Sequence, residues 1–122
     1  PGFVRDYILI TNGRYENVNE SDNLLSSQEN QSVPTRYKLQ QNFPNPFNPT
    51  TKINFEIPKV SHVNIIVYDI IGKEVTKLIN NELKQPGRYH IEFDGKNIAS
   101  GVYFYRLETS EFIQTKRMVL IK

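Results

Sequence analysis

Two histidines and two aspartates are the residues whose types could support catalysis or metal binding. His62 and His90 each stand at a polar position of an alternating segment, and Asp69 and Asp94 each precede a turn that contains glycine. Two histidines without a carboxylate at a matching spacing are a weak metal signal, and exposed strand residues are the simpler interpretation. A carboxylate pair could do acid–base work, but aspartate before glycine is typical of turns. The sequence therefore predicts no catalytic residue, no metal site and no cofactor.

The composition excludes several other classes of function. The 122 residues include no cysteine, which rules out a disulfide framework, a thiolate metal site and a cysteine nucleophile. The net charge is only +2 and basic residues alternate with acidic ones, so we expect no nucleic-acid partner. No run of about 18 apolar residues could span a membrane. The first residues lack a charged region followed by an apolar one, so a secreted protein would carry its signal peptide upstream.

The segment 101–108 is the strongest strand prediction and the expected centre of the fold. Aromatic and β-branched residues fill it, and a turn signal, Ala-Ser-Gly at 99–101, precedes it. Tyr103 lies on one face with the residues at 105 and 107, while those at 102, 104 and 106 lie on the other. A strand that is apolar on both faces is normally central and covered on each side.

Further alternating segments occur at short intervals along the chain. We predict strands at 52–57, 62–68, 74–79, 87–94 and 112–121, and a loop at 80–86. Short strands with turns every 8–12 residues predict an all-β antiparallel β-sandwich, for which a Greek-key order is the default. The side chains expected to face inward are Ile53, Phe55, Ile57, Val63, Ile65, Val67, Val75, Leu78, Tyr89, Ile91 and Phe93.

The chain before residue 37 divides into two parts. Residues 3–10 read as one strand, which either joins the downstream domain or, as we favour, ends a preceding domain of which residues 1–16 are the remnant. Residues 17–32 are almost wholly polar and cannot bury enough surface to order themselves, so we interpret 17–36 as a linker. A short helix at 22–29 is the alternative, with an apolar face only two residues wide.

Residues 37–51 form a stiff non-helical segment that opens the domain 37–122. Three prolines within six residues fix the backbone and remove three donors. Phe43 and Phe47 are expected to pin this segment to the domain. The alternative is a proline-rich ligand for an aromatic groove.

Five ordered motifs, spread from Leu39 to Lys122, resemble the C-terminal sorting domain of type IX secretion cargo proteins. They are the segments 39–51, 67–75, 86–89, 99–107 and 116–122. The motif residues carried over from the family, which we expect to be mainly structural, are Asn45, Pro46, Asn48, Pro49, Asp69, Gly72, Gly87, Gly101 and Tyr103. Residues 1–36 lie outside the resemblance, in agreement with a cargo remnant and a linker.

The resemblance implies an immunoglobulin-like β-sandwich that is a sorting signal and not an enzyme. Its partners would be the cargo domain upstream, the outer-membrane translocation machinery, and a sortase-like peptidase that cuts in the linker and can join the cargo to surface lipopolysaccharide. The cargo would be secreted, or held at the surface of a Gram-negative bacterium, after crossing the periplasm and outer membrane.

An exposed last strand would offer its edge to a receptor, and this edge would also allow two copies to pair as a dimer. The predicted recognition residues are Lys116, Arg117, Met118, Val119, Leu120, Ile121 and Lys122. An accessory carbohydrate-binding or spacer module of a secreted hydrolase is the alternative function, and it requires an exposed planar row of aromatic side chains.

Overall fold

The computed structural model describes residues 32–122, in which the chain forms seven strands and no helix. The strands are β1 (Lys38–Leu39), β2 (Thr50–Ile57), β3 (Ser61–Tyr68), β4 (Glu74–Lys84), β5 (Gly87–Asp94), β6 (Gly101–Glu108) and β7 (Ile113–Leu120). Within this part of the chain no helix is long and apolar enough to cross a membrane. The strand predicted at 3–10, the remnant 1–16, most of the linker 17–36 and the alternative helix at 22–29 lie outside the described residues.

The strands form two antiparallel sheets, which confirms the predicted β-sandwich. One sheet has the order β1-β2-β5 and the other has the order β4-β3-β6-β7. An immunoglobulin constant domain pairs its first, second, fifth and fourth strands in one sheet and its third, sixth and seventh in the other. The present order keeps both groups but moves the fourth strand beside the third.

Strand β6 lies in the middle of its sheet, between β3 and β7, as expected for the strongest strand. Its inner face is buried through Tyr103, Tyr105 and Leu107. Its outer face, which the sequence predicted to be covered as well, is half-buried. Only one sheet packs on β6, so the large side chains at 102, 104 and 106 are shielded by neighbours on the same face instead of by a second layer.

The core lies between the two sheets and contains most of the predicted inward side chains. Alternation correctly predicted the buried side chains of Ile53, Phe55, Ile57, Val63, Ile65, Val67 and Phe93, while Tyr89 and Ile91 are half-buried against the core. Two expectations were wrong or incomplete. Phe43 is 78% exposed, so Phe47, which is 1% exposed, anchors the proline-containing segment alone. In β4, Val75 and Leu78 are half-buried against the core, whereas Ile79 is the buried residue.

Strand β4 continues to Lys84, so the loop predicted at 80–86 is wrong except for its last two residues. The pairing of β3 with β4 shifts register along its length, and Asn81 adopts a left-handed backbone conformation with a φ of 52°. The Asn64 side chain accepts a hydrogen bond from the Asn81 amide at 2.8 Å. Such bulges interrupt the two-residue period. The exposed polar residues at 80–82 therefore carried no strand signal.

A buried tyrosine hydroxyl joins the two sheets. Tyr105 of β6 is fully buried, and its hydroxyl donates to the Gln40 carbonyl at 2.6 Å and accepts from the Asn42 amide at 2.8 Å. Gln40 itself extends the β1-β2 pairing through its amide, which donates to the Asn54 carbonyl. Burial raises the pKa of Tyr105 to about 12, and the bond from the Asn42 amide offsets part of that rise.

The Tyr105→Phe substitution tests how much this hydroxyl contributes to stability. It leaves the Asn42 amide and the Gln40 carbonyl without their buried partner, and we expect the free energy of unfolding to fall by about 1–3 kcal/mol. The control is Tyr89→Phe, because the Tyr89 hydroxyl bonds an exposed Gln85 carbonyl that water can reach. Urea titration should show a change below about 0.5 kcal/mol for the control. Equal losses in both variants would contradict this role.

The same hydroxyl predicts an alkaline limit to stability. The pKa of Tyr105 in the folded state, about 12, lies above the value near 10 expected in the unfolded chain. Its contribution is therefore complete below about pH 10 and is lost as the pH rises from about 10 to about 12. The stability difference between the native chain and Tyr105→Phe should shrink over that range in urea titrations. A difference that does not change with pH would refute the prediction.

Candidate functional site at the C-terminal strand

Strand β7 is the last strand of its sheet, and part of its outer edge is paired with an earlier segment of the chain. We call residues 41–49 the proline segment. The Phe47 amide donates to the Val119 carbonyl at 2.9 Å, and the Ile121 amide donates to the Phe47 carbonyl at 2.9 Å. Phe47 and Leu120 thereby form a parallel bridge. The C-terminal half of the edge, which the sequence predicted to be open, is therefore covered.

Two side chains of the proline segment extend this pairing. The Asn45 side-chain oxygen accepts from the Val119 amide at 3.0 Å. The Gln41 side-chain amide donates to the Arg117 carbonyl at 2.6 Å. Both polar backbone groups of Val119 are consequently bonded to the proline segment, one through a main-chain bond and one through Asn45.

Phe47 holds the proline segment on the core. Its ring lies 6.0 Å from the Phe93 ring, with a tilted geometry, and it contacts the region of Leu120 and Gly95. A Cβ at Gly95 would lie 3.0 Å from the Leu120 side chain and 3.3 Å from the Phe47 ring. A side chain at residue 95 would therefore push Leu120 and Phe47 aside by a few tenths of an ångström. The Gly95 amide also donates to the Pro49 carbonyl at 2.7 Å.

A buried polar cluster shapes the start of the proline segment. Asn42 is 2% exposed, and its side-chain amide donates to the Pro44 carbonyl at 3.1 Å and to the Thr51 hydroxyl at 3.0 Å. Thr51 in turn donates to the Pro44 carbonyl at 2.9 Å. The peptide bonds before Pro44, Pro46 and Pro49 are all cis. The burial of Asn42 and Thr51 was not predicted, since nothing in a run of polar residues marks which one is buried.

The predicted recognition residues of β7 divide by face. Met118 and Leu120 are buried in the core, so they can support recognition only by maintaining the fold. Arg117 is exposed, while Lys116 and Val119 are half-buried. By the two-residue period, Lys116 lies on the same face as Met118 and Leu120, whereas Arg117 and Val119 lie on the other face.

The last two residues, Ile121 and Lys122, follow β7. Ile121 is 53% exposed. The Lys122 amide donates to the Ser100 hydroxyl at 3.0 Å, and its ammonium group donates to the Lys96 carbonyl at 2.9 Å. The end of the chain is thus held against the loop that joins β5 to β6.

The other motif residues shape turns and strand ends. The Asp69 side chain accepts from the amides of Ile71 and Lys73 at 3.0 and 2.9 Å, and Gly72 has a φ of 89° that disfavours other residues. The Tyr103 hydroxyl donates to the Ala99 carbonyl at 2.7 Å. Gly87 and Gly101 begin β5 and β6, while Pro46 and Asn48 are exposed beside the half-buried Pro49.

The residues that could have formed a reactive site are not assembled into one. His62 and His90 are exposed on strands of different sheets. The Asp94 side chain accepts from the Lys96 amide at 2.9 Å, as a turn aspartate does. Residues 32–122 contain no group of three histidine, cysteine or acidic side chains that could hold a metal ion.

The outer face of the four-stranded sheet carries a half-buried cluster. Arg106 lies over the Tyr68 ring at 4.7 Å and pairs with Glu108 at 2.6 Å, beside Phe104. Across residues 32–122, Phe43 is the only exposed aromatic side chain, and the others are buried or half-buried. They do not form the planar exposed row that a carbohydrate-binding face would require.

A known protein family matches the part of the chain that contains this site. The family model of the secretion system C-terminal sorting domain matches residues 41–122. The chain belongs to this family. The matched region begins at Gln41, the first residue of the proline segment, and it includes all of β7. Searches of curated proteins and of solved structures found no match.

Membership identifies residues 41–122 as a C-terminal sorting signal of type IX secretion. Such a signal interacts with the type IX machinery and is attached to an upstream cargo domain. It implies secretion or display at the surface of a Gram-negative bacterium. The two ends of the matched region meet in space, because Gln41 and Asn45 bond the backbone of Arg117 and Val119.

The Asn45→Ala substitution tests whether the sorting domain's last strand depends on the proline segment. It removes the acceptor of the Val119 amide at a cost of about 1 kcal/mol, so exchange of that amide should accelerate about fivefold. Asn48→Ala is the control, because Asn48 is exposed and has no hydrogen-bond partner within residues 32–122. Hydrogen exchange followed by NMR measures both. Equal acceleration by the two variants would contradict the assignment.

Proposed function

We propose that residues 37–122 act as a folded signal that directs an attached cargo protein across the outer membrane through the type IX translocation machinery. In this organisation residues 1–16 end the cargo domain and residues 17–36 are the linker. The pairing of the proline segment with β7 carries the proposal. It presents a short C-terminal peptide as part of a rigid sandwich, so a receptor meets a defined shape instead of a flexible tail.

The receptor reads the exposed side of the chain end. The residues it can reach there are Lys116, Arg117, Ile121 and Lys122, since Met118 and Leu120 face the core. Three of them are cations, which favours an acidic contact surface on the receptor. Asn45, Asp69, Gly72 and Tyr103 support recognition indirectly, by maintaining turns and the pairing of the proline segment with β7.

A sortase-like peptidase removes the signal after export. Cleavage falls between Asn17 and Arg36, where the polar composition suits entry of an extended chain into a protease site. The cargo is then released or joined to lipopolysaccharide at the cell surface. The sorting domain itself is not an enzyme in this proposal, in keeping with a family whose role is signalling export.

An export assay tests the proposed signal. A reporter fused to residues 1–122 is expressed in a type IX-competent cell, and its surface delivery is measured. Replacing Lys116, Arg117 and Lys122 together by glutamine should retain most of the reporter inside the cell, because the receptor loses its charge contacts while the core stays intact. The matched control replaces Lys52, Lys77 and Lys84 by glutamine and should be exported normally.

The Tyr103→Ala variant separates loss of recognition from loss of folding. Tyr103→Ala should also block export, but through loss of stability of about 3–5 kcal/mol, seen by urea titration of the purified chain. Surface delivery that survives removal of residues 37–122 would refute the sorting function. Normal delivery of the glutamine triple variant would refute recognition through the chain end alone.

A further inference from the structure

The N-terminal half of β7 borders an open groove, which shares only Lys116 with the proposed recognition residues. The groove has a volume of about 580 Å³. One wall is residues 36–39, in and just before β1, and the other is Phe112, Ile113, Gln114 and Lys116, in and just before β7. A stacked pair, Tyr37 and Phe112, lines it with ring centroids 5.2 Å apart. The groove thus lies where the edges of the two sheets come together.

The polar backbone of β7 faces outward along this groove. In an antiparallel strand both backbone groups of a residue point to the same side, and successive residues alternate. The backbone groups of Arg117, Val119 and Ile121 bond the proline segment. The backbone groups of odd-numbered residues in β7 therefore point away from β6. The pairing of β6 with β7 has no register shift, so the backbone N–H and C=O groups of Ile113 and Thr115 also point away from β6. Their outward backbone groups have no partner within residues 32–122.

The walls of the groove carry cations and no acid. Arg36, Lys38 and Lys116 line it, and none of them has an ion-pair partner in the described part of the chain. Glu56 lies opposite Lys38 in the register of β1 and β2, but its side chain pairs with Arg88 at 3.6 Å. Ile113 adds an apolar side chain that is 65% exposed.

We propose that this groove binds an extended acidic segment of a partner protein, which adds as a strand to β7 at Ile113 and Thr115. The free amides and carbonyls supply main-chain bonds, and Arg36, Lys38 and Lys116 select carboxylates. The proline segment limits the site to the N-terminal half of β7, because it already occupies the edge from Arg117 onward. The acidic segment would belong to a component of the export machinery. Only this assignment of its source rests on the proposed sorting function.

Peptide binding to the full chain tests this site in vitro. The probe is a labelled octapeptide of alternating glutamate and valine with blocked ends, and anisotropy measures binding. We expect saturable binding that weakens with salt, and no binding of the octapeptide with lysine in place of glutamate. Two further probes carry N-methyl groups on alternate residues. Methylation on one register should abolish binding, while methylation on the other should leave it unchanged, because only one edge of an added strand bonds β7.

Variants of the chain locate the site. Lys38→Gln and Lys116→Gln should each lower affinity about twofold to fivefold, whereas Lys77→Gln, on the opposite edge of the same sheet, should not. Thr115→Pro removes an outward amide and should lower affinity about tenfold, while Thr115→Ser keeps that amide and binds normally. If Thr115→Pro does not fold, protection of the Thr115 amide from exchange on adding the probe gives the same information.

Several outcomes would overturn the inference. They are equal binding of the glutamate and lysine probes, unchanged affinity in a folded Thr115→Pro variant, and no added protection at Thr115. Dimerisation of the chain in sedimentation runs that the probe does not reverse would assign the groove to a second copy instead. Export that needs Lys122 and Arg117 while the probe fails to bind would leave the sorting function standing and refute this site alone.

Discussion

The backbone pairing of Phe47 with Val119 and Ile121 is the contact on which the rest of the domain depends. It joins the beginning of the sorting domain to its end, and the buried Phe47 ring holds it against the core. An edge strand with an open ladder is prone to unwanted association. The proline segment covers the part of β7 nearest the chain end and leaves the outward backbone groups of Ile113 and Thr115 open. One local pairing therefore decides which surface of the signal a partner can reach.

Buried polar groups give this pairing its position. Tyr105, Asn42 and Thr51 are each buried and each hydrogen-bonded where the two sheets meet. Apolar packing alone would tolerate a shift of the proline segment along β7, because dispersion contacts have no direction. Hydrogen bonds at fixed distances permit one register only. The segment is thereby held where Asn45 can reach the Val119 amide.

The accuracy of the sequence predictions follows from how far local patterns determine burial. Strict alternation at Ile53, Phe55 and Ile57 predicted a core face, and all three side chains are buried. The same reasoning failed at β4, where the bulge at Asn81 breaks the period. It also failed at Phe43, because an aromatic residue in an irregular segment has no period that indicates its direction. The family motifs predicted the sorting domain, and the match over residues 41–122 confirms it.

The sequence by itself determined strands β2, β3, β5, β6 and β7 and most of their core residues through period two, the family through its motifs, and the absence of cysteine chemistry through composition. Only the tertiary structure decided which strand edges are covered. The bonds from Gln41 and Asn45 to Arg117 and Val119 span more than 70 residues of chain, at separations of 76 and 74. No local pattern encodes such a distant pairing. It exists because the sandwich brings both ends of the domain to one edge, where the orphan backbone groups of the last strand need partners.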